Sequence, residues 1–265
     1  MPVSLYSSLS HAVEAGVSEP LPMPWKALAE IEVAVRRGQV HLWAGAPGMG
    51  KTAIALNYLL HPDVQREVAT LYFSPDSDVM TIAPRTLALM QGRRVRDVFS
   101  AFESQKADEY IEVAKELRHV QWCFEYPLED KVIDLEIEAY QVIHGHNPDL
   151  IILDNIRDVF LEDADGSDWG QQKATVDYFK QIAYKTGAAV ILLHHLTGGK
   201  ENGDTVPKLG DIENKLGKNV RQALLFFSPD EYTIGIRCEK NSSGAKHFGD
   251  DYLPMGWDRP TQRIG

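Results

Sequence analysis

A glycine-rich segment with one lysine and one threonine is the strongest chemical signal in the sequence. It has the spacing Gly-x-x-x-x-Gly-Lys-Thr and lies between an apolar segment (40–44) and a helical pattern (52–60). Glycines at a strand-to-helix turn let backbone N–H groups surround phosphates, and the helix N-terminus adds a favourable dipole. The residues of this phosphate loop are Gly45, Ala46, Pro47, Gly48, Met49, Gly50, Lys51 and Thr52.

The last two residues of the phosphate loop predict its ligand. In such loops the lysine contacts the β- and γ-phosphates, and the hydroxyl that follows binds Mg²⁺. From average residue frequencies, the pattern occurs by chance in roughly one chain of this length in a hundred, and correct flanking elements make chance rarer still. The sequence therefore predicts that Lys51 and Thr52 bind ATP and Mg²⁺.

Two carboxylates follow apolar strands. Asp154 ends the segment 150–153 and is a candidate second Mg²⁺ ligand, directly or through water; alternatively, it only starts the next loop. Asp76 follows the strand 70–73 and is a candidate catalytic carboxylate that orients the attacking water. Asp78 competes for that role, and both acids also suit a turn or a helix cap.

A histidine pair, His194 and His195, ends another apolar segment. Such a pair is more often structural than catalytic. A polar residue at the end of a core strand could nevertheless sense the γ-phosphate and signal its presence to the following loop.

Strand and helix patterns alternate from Trp25 onward, which predicts an α/β fold with a mostly parallel central sheet and helices on both faces. The predicted strands are 39–44, 70–73, 120–126, 150–154, 188–194, 223–227 and 232–238, and the predicted helices are 50–60, 80–90, 107–117, 132–143 and 171–186. Two long connections, 155–170 and 196–219, interrupt the pattern, and loops of that length are usually functional or disordered.

A length of 265 residues can hold one α/β domain with a sizeable core, or at most two small domains. We expect an N-terminal arm (1–24), with several prolines and a short helical pattern, followed by one ATPase domain (25–265). No apolar run is long enough to span a bilayer, and the N-terminus does not resemble a signal peptide. With only two cysteines, we expect a cytoplasmic protein without a membrane partner. The net charge of −11 opposes binding of DNA over the whole surface.

Together these motifs resemble the RecA-like ATPase core of hexameric DnaB-type replicative helicases, and in particular the compact RepA-type helicases of plasmids and related phage proteins. The likeness spans about residues 25–249. The segments that carry it are Arg37-Gly38-Gln39-Val40 with the phosphate loop, Phe73-Ser74-Pro75-Asp76, Arg85-Thr86-Leu87-Ala88-Leu89, Leu153-Asp154 and Leu193-His194-His195.

The resemblance implies a homo-oligomer, a hexameric ring with ATP at each subunit interface and loops that hold single-stranded DNA in the channel. It implies that His195 senses the γ-phosphate and that Asp76 is the counterpart of the family's catalytic carboxylate. The family mostly has glutamate there, so the side chain of Asp76 is one methylene shorter.

The resemblance also implies basic residues that act on the neighbouring subunit's γ-phosphate. Lys240 matches the first such position, but Ser242 stands where DnaB-type proteins have arginine. RepA-like proteins lack that arginine too, and their Asn-x-Arg is matched by Asn219-Val220-Arg221. Arg221 and Lys240 are therefore the expected trans-acting pair. The alternative is that Arg221 pairs with Glu213 or faces solvent.

The connection 196–221 is expected to face the channel. Its net charge is only +1, but six copies would concentrate it, and its glycines would expose N–H groups to phosphates. The segment 154–168 has a net charge of −5 and is expected to be a solvated acidic surface. The candidate DNA contacts are Lys200, Lys208, Lys215 and Lys218.

Three other functions stay open. One is a RecA-like recombinase or another DNA-processing ATPase. The second is a regulatory ATPase of the same fold that binds no DNA, which the net charge of −11 favours. The third is a metal-dependent nuclease, since two-metal chemistry needs clustered carboxylates. The acids considered for that site are Asp158, Glu162, Asp163, Asp165 and Asp168.

Overall fold

The computed structural model describes residues 4–14, 18–197 and 202–265. The strands are β1 (Val40–Gly45), β2 (Thr70–Phe73), β3 (Val120–Cys123), β4 (Leu128–Glu129), β5 (Leu150–Leu153), β6 (Val159–Phe160), β7 (Ala189–His195), β8 (Gln222–Asp230), β9 (Thr233–Asn241), β10 (Leu253–Asp258) and β11 (Arg263–Ile264). The helices are α1 (Leu5–Glu14), α2 (Lys26–Glu30), α3 (Lys51–Leu59), α4 (Pro62–Gln65), α5 (Val79–Gln91), α6 (Val95–Glu103), α7 (Asp108–Ala114), α8 (Asp130–His144) and α9 (Asp168–Thr186). No helix within these ranges is both long and apolar enough to cross a bilayer.

A nine-stranded sheet in the order β11-β10-β9-β8-β1-β7-β5-β2-β3 forms the centre. The six strands from β8 to β3 are parallel, whereas β9, β10 and β11 are antiparallel to their neighbours. Helices cover both faces, so the predicted fold class is confirmed.

The sheet forms because its central strands are apolar on both sides. Every residue of β1 is buried, with Trp43 in one core cluster and Leu42 and Ala44 in the other. Successive side chains of a strand point to opposite faces, so one short run supplies both cores. Burying each large side chain contributes about 1.5–3 kcal/mol.

Strand register decides which loops meet. Gly45 is opposite His195 in β7 and Phe226 in β8, so the phosphate loop and the end of β7 lie at the carboxyl edge of the parallel strands. Residues at the start of β8 lie at the amino edge, because His41 is opposite Gln222. Lys240 pairs with Ala223 at that same amino edge.

Most predicted elements lie close to the observed ones, but several short elements, among them α2, α4, β4 and β6, were not predicted. The strand predicted to reach residue 126 ends at Cys123. Helix α6 and the hairpin of β10 and β11 were not predicted. Helix α9 begins at Asp168, earlier than predicted, because the hydroxyl of Ser167 accepts a hydrogen bond from the N–H of Gly170 and caps the helix.

The last residues of the predicted 1–24 arm pack against the domain. Leu21 is buried in a core cluster, and Pro20 forms a bridge with Arg36. The side chains of Leu5 and Tyr6 in α1 are exposed. The predicted arm therefore has two parts. Helix α1 has exposed apolar side chains, whereas the segment around Pro20 and Leu21 packs into the domain.

Candidate active site

The phosphate loop leads from β1 into α3 through two glycines in the left-handed conformation. Gly48 has a φ of 74° and Gly50 a φ of 77°, values that L side chains rarely adopt. A Cβ at Gly50 would also approach the ring of Trp257 to 3.0 Å. Glycine at position 50 thus provides both the backbone turn and the space for the indole.

Lys51 is buried inside this turn, with 8% of its surface exposed. Its Nζ donates to the carbonyl oxygens of Gly45 (3.0 Å) and Ala46 (3.2 Å) and lies 3.3 Å from Nδ1 of His195. Burial lowers the pKa of Lys51 to about 8, against the opposing effect of the charge of Asp154. Among the described residues no carboxylate forms an ion pair with it, so phosphate oxygens would supply the missing anion. The loop therefore fits a polyphosphate.

Thr52 and Asp154 lie together beneath the loop. The hydroxyl of Thr52 donates to Oδ2 of Asp154 at 2.6 Å, and the hydroxyl of Tyr72 donates to the same oxygen at 3.1 Å. Burial raises the pKa of Asp154, although both hydrogen bonds and the charge of Lys51 oppose this shift. A hydroxyl and a carboxylate are oxygen ligands of the type that Mg²⁺ prefers. The two predicted metal ligands are therefore adjacent and fit that ion.

The two competing carboxylates occupy different environments. Asp78 caps α5, because its Oδ1 accepts from the N–H of Thr81 at 2.8 Å. Asp76 is exposed and lines the cavity in front of the phosphate loop. Asp158, from the acidic segment, is half-buried near Asp76; burial and then the charge of Asp76 raise its pKa. Of these acids, Asp76 has the position expected of a residue that orients water.

The cavity in front of the loop has a volume of about 430 Å³. Sequence reasoning did not assign several of its residues to the site. Arg259 stacks on the ring of Trp257 at 3.8 Å and donates to the carbonyl oxygen of Glu231 and to Oγ of Ser228. Because Trp257 and Arg259 come from the unpredicted hairpin, nothing in their sequence neighbourhood indicated this role. The unassigned lining residues with polar or aromatic side chains are Ser77, Arg85, Asn155, Trp257, Arg259 and Gln262.

The two histidines at the end of β7 differ. His195 lies between Lys51 and Asn155, with its Nε2 3.3 Å from Nδ2 of Asn155. Burial, then the charges of Lys51 and Arg157, lower the pKa of His195 to about 4, so its ring is neutral at pH 7. His194 is fully buried, and its Nε2 donates to the carbonyl oxygen of Glu213 at 3.2 Å. His195 faces the cavity, whereas His194 holds the following loop.

Arg221 and Lys240 both lie at the amino edge, where Lys240 pairs with Ala223, two residues after Arg221. Arg221 is exposed, and its carbonyl oxygen accepts from both the N–H and the hydroxyl of Ser242. Lys240 donates from Nζ to the carbonyl oxygen of Lys218 at 2.8 Å. Burial, then the charge of Lys180, lower the pKa of Lys240. A strand the length of β1 spans about 20 Å, so neither cation lines the phosphate cavity of its own chain.

The alternative partner of Arg221 is engaged elsewhere. Glu213 lies 3.9 Å from the guanidinium of Arg157, in a loose ion pair. The alternative in which Arg221 pairs with Glu213 is therefore wrong, whereas exposure of Arg221 in the single chain is observed.

The connection after β7 packs on the phosphate loop at one point. Gly203 has a φ of 70°, and a Cβ there would clash with the side chain of Met49. Farther along, the N–H of Leu209 donates to Oε2 of Glu239 at 3.0 Å. Three predicted DNA contacts, Lys208, Lys215 and Lys218, are exposed. The fourth, Lys200, lies outside the described residues, and all four stay predictions.

The acidic segment does not form a cluster suited to metal chemistry. Within the described ranges, no group of three or more His, Cys, Asp or Glu side chains is arranged to hold a metal ion. Glu162 instead forms an exposed ion pair with Lys131. The nuclease alternative thus has no geometric support.

Comparison with known proteins identifies relatives in two phages. The Gene 65 protein of Mycobacterium phage L5 is 29% identical over 262 residues, covering 95% of both chains. The Gene 65 protein of Mycobacterium phage D29 is 31% identical over 233 residues, covering 84% of this chain and 97% of that protein.

Among solved structures, an ATPase domain matches the fold with a TM-score of 0.80 at 13% identity, over 100% of this chain and 99% of that one. A DnaB-like replicative helicase, solved in a study of its interactions with primase, matches with a TM-score of 0.77 at 14% identity. That match covers 100% of this chain and 67% of the helicase. Residues 29–202 match the AAA domain family, and the chain therefore belongs to this family, with the fold of a DnaB-type helicase ATPase domain.

Proposed function

We propose that this chain is an ATP-dependent helicase or translocase that acts on single-stranded DNA as a homo-hexameric ring. The observation that carries the proposal is the division of the catalytic groups between two edges of one sheet. Lys51, Thr52, Asp154, Asp76 and His195 meet at the carboxyl edge, whereas Arg221 and Lys240 lie at the amino edge. A ring would bring the amino edge of one subunit to the carboxyl edge of the next.

Each group at the carboxyl edge has a proposed task. Lys51 binds the β- and γ-phosphates, and Thr52 with Asp154 would hold Mg²⁺, which supplies positive charge beside the phosphates when bound. Asp76 orients the attacking water and accepts its proton. Trp257 and Arg259 would hold the base, because their stacked pair lines the same cavity.

The amino edge would complete the site of a neighbouring subunit. Charge that develops on the transferred phosphoryl group needs cations on its outer face. Arg221 is exposed and Lys240 is held by backbone oxygens beside it, so a neighbour's phosphate would meet a prepared pair.

ATP turnover measured with and without single-stranded DNA tests this function. The expected result is turnover that rises with added DNA, with less stimulation at high salt because phosphate contacts release counterions. The regulatory ATPase is the second candidate, which the net charge of −11 favours. Turnover that single-stranded DNA leaves unchanged at low salt would support it and contradict the helicase.

A further inference from the structure

Asn155 is a buried amide between Asp154 and the short turn Ile156–Asp158, with 5% of its surface exposed. Its Oδ1 accepts from the N–H of Arg157 at 2.7 Å. Only the oxygen of an amide side chain can accept a hydrogen bond, so this contact fixes the orientation of the group. Nδ2 consequently faces Nε2 of His195 at 3.3 Å.

This orientation decides where His195 carries its proton. The amide nitrogen only donates, so Nε2 of His195 must be the unprotonated acceptor. A neutral imidazole has a single N–H, and the proton is then on Nδ1. Nδ1 is the atom that faces Nζ of Lys51 at 3.3 Å, on the phosphate-loop side of the ring.

The two contacts of His195 cannot both be satisfied by protein groups alone. Lys51, when charged, also only donates, so an N–H on Nδ1 would face another donor. If the proton were on Nε2 instead, that N–H would face Nδ2 of Asn155, which also only donates. An acceptor within reach of both Nζ of Lys51 and Nδ1 of His195 removes the conflict, because it receives a hydrogen bond from each. A terminal phosphate oxygen is such an acceptor.

We propose that Asn155 is a positioning residue that holds His195 in the Nδ1–H tautomer, so that His195 donates to the terminal phosphate of a bound nucleoside triphosphate beside Lys51. The inference rests on the proposed nucleotide function of this cavity. The site can then distinguish a triphosphate from a diphosphate, because only the terminal phosphate of the longer ligand would accept hydrogen bonds from both Lys51 and His195.

The isosteric change Asn155→Asp separates positioning from a structural role. Aspartate keeps an oxygen for the N–H of Arg157, so the cap of the turn is preserved. It replaces the donor opposite His195 by an acceptor, which requires a proton on Nε2. Ser77→Asp is the matched control, because Ser77 lines the same cavity and gains the same charge without facing His195.

The test combines two measurements on the whole chain. Long-range ¹H–¹⁵N spectra of ¹⁵N-histidine-labelled protein, with His195 assigned through His195→Gln, report the tautomer with a non-hydrolysable ATP analogue bound. Calorimetry gives the affinities for the analogue and for ADP. We expect Nδ1–H in the wild type and in Ser77→Asp, but a protonated Nε2 in Asn155→Asp. We expect the latter variant to lose roughly tenfold to a hundredfold of its preference for the triphosphate, the effect of one hydrogen bond to a charged group.

The outcomes distinguish this inference from the function on which it rests. A wild type that binds both nucleotides with His195 protonated on Nε2, or an Asn155→Asp variant with an unchanged tautomer, would overturn only the role of Asn155. A folded wild type that binds neither nucleotide would overturn the proposed function as well.

Discussion

The two edges of the parallel sheet differ in how complete they are. At the carboxyl edge, buried side chains from four segments converge, and Thr52, Asp154 and Lys51 already contact protein partners. At the amino edge, Arg221 is exposed and Lys240 has backbone oxygens as its hydrogen-bond acceptors. In the proposed ring, a single chain would prepare phosphate binding by itself, whereas Arg221 and Lys240 would act only on a neighbouring subunit.

Arg221→Ala would test this division with the largest effect. We expect ATP to remain bound and hydrolysis to fall by about 10³–10⁵-fold, the effect of an arginine finger in other nucleotide hydrolases. Arg66→Ala, which removes another exposed arginine, is the control and should hydrolyse ATP normally. Binding and turnover are measured separately.

Mixing subunits sharpens the same prediction. Lys51→Ala subunits should lose tight ATP–Mg²⁺ binding, and a mixture with Arg221→Ala should regain part of the activity. Some interfaces in the mixture would pair an intact phosphate loop with an intact Arg221. If rings that demonstrably exchange subunits show no recovery, Arg221 does not act on a neighbour.

Asp76→Asn addresses the carboxyl edge. It removes a proton acceptor without changing size, so ATP should bind as in the wild type while hydrolysis slows by about 10²–10⁴-fold. Asp78→Asn removes the same charge two residues away and keeps the helix cap, so its hydrolysis should be unaffected. Equal losses in both variants would mean that local charge, rather than Asp76 itself, is responsible.

His41→Gln tests how a buried histidine at the amino edge makes the stability of the fold depend on pH. Burial lowers the pKa of His41 from 6.5 to about 4, so below pH 6.5 the unfolded chain binds a proton that the folded chain does not. Stability is therefore lost as the pH falls from 6.5 towards 4, by about 2 kcal/mol at pH 5 for this one group.

Urea unfolding at pH 7 and pH 5 measures this contribution. The variant should be less stable than the wild type at pH 7, but its loss on acidification should be smaller by about 2 kcal/mol. An identical acid-induced loss in the two proteins would assign the pH dependence to other groups, such as the buried His194, whose pKa is lowered to about 3.

Arg259→Ala has the smallest expected effect. Loss of the cation stacked on Trp257 should weaken ATP binding by roughly tenfold, in the range of base-stacking contributions. Arg263→Ala, in the same hairpin but outside the phosphate cavity, is the control. Titration with a fluorescent ATP analogue measures both, and equal weakening would mean that the hairpin, rather than the stack, matters.

The sequence predicted the parts of the fold and site that depend on short, local patterns. Each of these patterns spans only a few consecutive residues: the apolar runs of β1, β5 and β7, and the glycine spacing of the phosphate loop. Asp154 and His195 were found because each directly ends or follows such a run. Their mutual positions then follow from strand register, which the parallel arrangement largely determines.

The parts that were missed depend on distant contacts. Strand β10 pairs with β9, and only this pairing brings Trp257 over Gly50 and Arg259 into the cavity. Helix α6 has a helical spacing of apolar residues at Val95, Val98 and Phe102, but this pattern is short and lies among charged residues. Asn155 gave no signal at all, because its role depends on which atoms of Arg157 and His195 it meets.

The hairpin of β8 and β9 has a mechanical consequence. Each strand has nine residues, a length of about 30 Å. One end holds Arg259 through Ser228 and Glu231, and the other end presents Arg221 and Lys240. In the proposed ring each hairpin would connect the nucleotide site of its own subunit, through Arg259, to that of the neighbouring subunit, through Arg221 and Lys240. If six subunits form this ring, each hairpin would contact two nucleotide sites, and we expect ATP turnover at one interface to influence the next.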